Sequence, residues 1–125
     1  MFKRGVTLLE LLIAVSLIGL ISAISIVAIN PGAQLASARN VERERELDQI
    51  YEAIDLYVTN NNGEVPPGIP SDTYREICRQ DADDCTDLVD LQTPLVPQYL
   101  NEIPDDPQTA SANGTGYEIR YITID

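Results

Sequence analysis

The chain has 125 residues, eight Lys and Arg against twenty Asp and Glu, and no histidine. Its net charge of -12 repels phosphate backbones and argues against direct nucleic acid binding. Cys78 and Cys85 are the only thiols, so neither a usual metal constellation nor a Cys-His nucleophile pair can be assembled.

The first element follows a short basic leader. Gly5-Val6-Thr7-Leu8-Leu9-Glu10 runs into Leu11–Ile29, nineteen uncharged and mostly apolar residues. As a helix this run is roughly 28 Å long, enough to cross a bilayer core. Lys3 and Arg4 stay cytoplasmic under the positive-inside rule, which places the carboxyl-terminal part outside. Glu10 is the anomaly. An ionisable group in hydrocarbon costs several kcal/mol, so it is normally absent or functional. It therefore calls for a partner. Ser16, Gly19, Ser22 and Ser25 form a stripe of small residues that lets helices approach closely. Two plainer readings exist. One is an ordinary single-pass anchor. The other is a secretory signal cut after Ala36-Ser37-Ala38, but the apolar run is long for that and Glu10 would lie inside it.

These residues carry a resemblance. A basic leader ending in Gly5, then Val6-Thr7-Leu8-Leu9-Glu10-Leu11-Leu12-Ile13, resembles the amino terminus of type IV pilins and type II secretion pseudopilins. The resemblance covers about the first thirty residues. It implies cleavage between Gly5 and Val6 by a prepilin peptidase, and methylation of the new amine on Val6. It implies that Glu10 pairs with the terminal amine of a neighbouring subunit, because a lone buried carboxylate is costly and a paired one is tolerated. Two residues depart from the family pattern. Val6 stands where phenylalanine is usual, and Val27 replaces the family's kinking proline. Pro31-Gly32 follows four residues later, so a kink or break is expected near Asn30–Gly32.

Ala38 to Val58 reads as a second helix. Leu47, Ile50, Tyr51, Ile54, Tyr57 and Val58 fall on one apolar face. In the collar 39–46, Glu42 with Arg45 and Arg43 with Glu46 are spaced for i+3 pairs. The plain reading is a solvated surface; the functional one is an electrostatic register between subunits. Asn60-Asn61-Asn62-Gly63 ends the helix, with Gly63 suited to a left-handed cap. Pro66, Pro67, Gly68 and Pro70 then make a rigid loop.

Beyond it, Ser71 or Asp72 can cap a short helix carrying Tyr74, Ile77 and Cys78. Cys78 and Cys85 are expected to form a disulfide outside the cytoplasm. Asp81, Asp83, Asp84, Asp87 and Asp90 make an acidic cluster that fails the EF-hand template and reads as a solvated surface. Major pseudopilins bind calcium in a loop near the carboxyl end, which makes Asp105 and Asp106 the candidate ligands here; the preferred reading is no cofactor. Leu95, Val96, Tyr99, Leu100 and Ile103 predict a proline-interrupted helical turn over the core. The segment 99–107 is similar to the tyrosine-leucine, proline, aspartate-proline segment of pilin and pseudopilin heads. Asn113-Gly114-Thr115-Gly116 predicts a turn, and Tyr117 to Ile124 a strand, with Val65 as a weak second strand candidate.

The expected fold is α+β, a pilin-like lollipop: leader 1–5, assembly helix 6–30, amphipathic helix 31–60 and a small head 61–125. The expected function is structural rather than enzymatic. The precursor sits in the bacterial inner membrane with its head outside. It is cut after Gly5 and polymerises with copies of itself into a periplasmic or surface filament, with prepilin peptidase and the pilus or secretion machinery as partners. The alternatives are a type II secretion major pseudopilin and an anchored adhesin or binding module that never polymerises.

Overall fold

Thr7 starts the first helix. In the computed structural model, which describes residues 5–123, its hydroxyl accepts the Glu10 backbone N–H at 3.2 Å and caps α1, Leu8–Ile29. No residue of α1 is buried. The helix stops at Asn30, which takes the left-handed conformation (φ 46°). Asparagine tolerates that region better than most residues. Pro31 then opens α2, Pro31–Asn60, at the one helical position where its missing N–H and fixed φ are assets. The expected break near Asn30–Gly32 is therefore present, and α2 begins seven residues before the predicted Ala38. Residues Met1–Ala38 form one compact unit and Arg39–Asp125 a second.

The second unit is built on the later turns of α2. Ile50 and Ala53 are buried there, with Ile54 and Tyr57 packed beside them. They meet Ile69, Ile77, Val89, Leu91, Leu95, Ile103 and Tyr117 in one core. Two residues of the predicted face point elsewhere: Tyr51 is 73% exposed and Leu47 46%. Ala53, 1% exposed, is the most deeply buried residue of α2. The helix closes as predicted. Asn62 and Gly63 have positive φ, and the Gly63 N–H returns to the Val58 carbonyl at 2.9 Å.

The sheet corrects two expectations. Arg75–Cys78, expected in a short helix, is strand β1, paired antiparallel with β2, Gly114–Ile119. Its backbone has partners on both sides: Cys78 N–H donates to the Val89 carbonyl at 2.8 Å, and Val89 N–H to the Glu76 carbonyl at 2.9 Å. Those long-range bonds outweigh a weak local helical preference. The expected turn at 113–116 lies largely inside β2, and the strand ends at Ile119; the predicted end, Ile124, falls outside the described residues. Gly116 (φ 82°) sits so close to Thr109 and Asp106 that a Cβ would collide. The pairing slips between Glu76 and Cys78, as a bulge does. Val65 belongs to no strand. Asp90, just ahead of the one-turn helix α3, Gln92–Leu95, accepts from the Gln92 N–H at 2.9 Å. Leu95 and Ile103 of the predicted turn are buried.

Candidate functional site

Two regions carry the residues singled out by the sequence. At the amino terminus, Gly5, Val6 and Thr7 are exposed and non-helical, and α1 begins three residues after Gly5. The Gly5–Val6 peptide bond thus lies in accessible chain rather than in a helix. Lys3 and Arg4 of the leader fall outside the described residues. Glu10 is exposed in the first turn of α1, where the partial positive charge of the helix end favours a carboxylate. Thr7-Leu8-Leu9-Glu10 has the Thr-x-x-Glu form of a capping box, a signal legible in the sequence that composition and periodicity overlook. Only the threonine half is formed: Thr7 accepts from Glu10 N–H, and the Glu10 carboxylate makes no hydrogen bond or ion pair among the described residues.

Along α1 the hydroxyls of Ser16, Ser22 and Ser25 each donate to the carbonyl four residues back, at 2.7, 2.8 and 2.8 Å. The small-residue stripe is consequently polar in composition and satisfied within its own helix.

In the head, the collar residues of α2 reach the globular part instead of one another. The expected i+3 pairs of Glu42 with Arg45 and Arg43 with Glu46 are not formed among the described residues. Arg43 grips Asp106 in fork geometry, Nε to Oδ2 at 2.6 Å and Nη2 to Oδ1 at 3.1 Å, and also donates to Gln108 Oε1 at 2.9 Å. Asp106 is buried and accepts the backbone N–H groups of Gln108 and Thr109 at 2.7 and 2.9 Å. The hydrogen bond from Arg43, helped by these amides, holds the Asp106 carboxyl well below the usual carboxylate range, against the opposing effect of burial. The same contact raises the Arg43 guanidinium. One helical turn on, the Tyr117 hydroxyl donates to Glu46. Burial, and then that carboxylate, pushes the Tyr117 phenol up.

Asp105 pairs with Arg79 at 2.6 Å. Both candidate calcium ligands therefore face guanidinium groups, and among the described residues no three His, Cys, Asp or Glu side chains gather as a metal site. Cys78 and Cys85 form a disulfide with Cα atoms 5.6 Å apart. In the nearby acidic cluster, Asp84 folds back onto Thr86, whose hydroxyl and N–H lower its carboxyl.

The amino-terminal geometry combines an accessible Gly-Val bond, a capped start and an apolar helix long enough to span a membrane, of mean hydropathy 2.7. Residues 1–26 match the family model of the prokaryotic N-terminal methylation motif. The chain carries a prepilin-type methylation motif. Neither a curated protein nor a solved structure matches the chain. The prepilin motif covers the leader and most of α1, so Gly5, Val6, Thr7 and Glu10 lie within the match and the head lies beyond it. The motif supports a pilin-like or pseudopilin-like subunit, and the apolar helix is consistent with a membrane-anchored precursor.

Proposed function

We propose that this protein is the structural subunit of a type IV pilus-like filament. A prepilin peptidase cuts after Gly5, the Val6 amine is methylated, and the processed chains polymerise through α1. The observation that carries this reading is that α1 runs for 22 mostly apolar residues with none of them buried. Apolar surface of that extent needs a non-aqueous environment, first lipid and then the helices of neighbouring copies. Glu10 supplies the register. Its carboxylate makes no hydrogen bond or ion pair among the described residues, and the charged amine of a neighbour's Val6 makes its burial tolerable. The head outside the membrane presents an acidic surface.

The test joins amino-terminal sequencing with replacement of Glu10. The mature chain should begin at methylated Val6. Glu10→Ala should cut sheared surface polymer by roughly tenfold or more, since removing one partner of a desolvated pair is strongly destabilising. The melting temperature of the head should stay unchanged. Normal filaments from Glu10→Ala, or an unprocessed Met1 terminus, would overturn the reading. Loss of a secreted enzyme rather than of surface fibres on gene deletion would assign the filament to a type II secretion system instead.

A further inference from the structure

The chain has six arginines after Arg4, and the head uses them unequally. Arg43 and Arg79 are committed to Asp106 and Asp105. Arg75 and Arg120 make no ion pair among the described residues. The sheet brings these two together: Arg75 lies opposite Ile119, and Arg120 is the next residue. The Arg120 guanidinium lies over the Tyr74 ring, 4.5 Å from its centroid, and Tyr74 is itself 58% exposed. Arg120 Nε is buried without a hydrogen-bond partner among the described residues. With Arg75 exposed and neither arginine in an ion pair among the described residues, this end of the head presents uncompensated positive charge beside an exposed ring. Of the acids nearby, Glu76 is turned onto the Gly116 N–H at 2.8 Å, and Glu118 on β2 forms no ion pair with either arginine.

The other end of the same sheet has the opposite character. There Cys78 faces Gly114, and the chain enters the loop closed by Cys85. Asp81, Asp83 and Asp84 are exposed on it. The disulfide holds this loop, so ordering its carboxylates against a partner costs less than for a free loop. Roughly 10 Å of strand separates Arg75 from the start of the loop.

We propose that the Arg75, Arg120 and Tyr74 end of the head docks the acidic Cys78–Cys85 loop of a second copy. Complementary charge selects the occupant, and the arginine and tyrosine content matches the residue types that anchor interfaces. Because donor and acceptor surfaces lie at opposite ends of one sheet, the contact is heterologous, and in a filament it repeats from each subunit to the next. This rests on the filament reading and adds to it a second contact, between heads.

The test uses full-length protein in a producing strain. Arg75→Glu with Arg120→Glu should lower surface polymer by roughly tenfold, and adding Asp81→Arg with Asp83→Arg should restore most of it. Lys3 is the sole lysine and lies in the leader, so Arg120→Lys gives the processed chain its only side-chain amine. Carbodiimide treatment of Arg120→Lys filaments should then yield dimers joined from position 120 to Asp81, Asp83 or Asp84. Cross-links confined to monomers, such as to the chain's own carboxyl end, or joining position 120 to other carboxylates, would overturn the proposal. So would normal polymer from the Arg75→Glu, Arg120→Glu variant, and in that case the filament reading would stand. A wild-type chain that forms no polymer would overturn both.

Discussion

Arg43 and Asp106 lie 63 positions apart in the sequence and 2.6 Å apart in the folded head. The contact pins the turn at 106–109 to α2. The same aspartate orders that turn through the Gln108 and Thr109 amides. Its N–H donates to the Thr115 carbonyl at 2.8 Å, so helix, turn and β2 meet at one residue.

Removing that junction should be costly. Asp106→Ala loses two backbone capping bonds, a class of loss worth about 0.5–2 kcal/mol, before the ion pair is counted. For a domain of this size each kcal/mol corresponds to roughly 4–8 °C in melting temperature. Because the folded carboxyl is depressed, its contribution is complete above the ordinary value near 3.9 and fades as pH falls toward the folded value. Thermal melts from pH 7 downward should show a steep acid limb in the wild type and a shallower one in Asp106→Ala.

Tyr117→Phe tests the neighbouring clasp from the alkaline side. A hydrogen bond to a charged acceptor is worth about 1.5–3 kcal/mol, and the loss leaves half-buried Glu46 without that donor. The folded phenol is raised, so its contribution is complete below the ordinary value near 10 and declines as pH rises beyond it. The variant should melt earlier at neutral pH and lose less stability above pH 10 than the wild type, read by circular dichroism.

The disulfide closes a short loop, so its removal should be modest. Cys78→Ala with Cys85→Ala should cost about 2 kcal/mol in the chain-entropy model. Intact mass after alkylation without reductant should be unchanged for the wild type, and labelling of both thiols would show the bridge to be absent.

Calcium should leave the head unaffected. A calcium site needs six to eight oxygen ligands, and guanidinium groups occupy the faces of Asp105 and Asp106. Melts with chelator and with roughly 10 mM calcium, above the affinity range of weak extracellular modules, should coincide. A rise in melting temperature with calcium would mean that the ion displaces Arg43 or Arg79.

What the sequence disclosed was set by how local each signal is. The nineteen-residue apolar run, the Asn30–Pro31 break and the Gly63 stop are written in adjacent residues, and each stands where expected. Glu10 and Gly5 stood out because a charge beside an apolar run and a glycine before it form a pattern in one dimension. The head is different. β1 is four residues long and exists because Val89 and β2 supply its partners, information that lies eleven and more residues away. The glycines at 114 and 116 look like a turn, yet Gly116 lies inside β2, where its φ of 82° and the closeness of Thr109 and Asp106 leave no room for a Cβ. Arg43 offered two partners within its own helix, and the one it takes is reached only by folding.

The inward-turned hydroxyls of Ser16, Ser22 and Ser25 have a consequence for timing. With those groups already satisfied, neighbouring precursors in a bilayer have no polar hook by which to seize one another along the serine stripe. On the filament reading, the membrane can hold a stock of inert monomers. The charged amine that Glu10 awaits is not there until the Gly5–Val6 bond is cut. Proteolysis then acts as the trigger, and the supply of subunits is metered by an enzyme rather than by concentration.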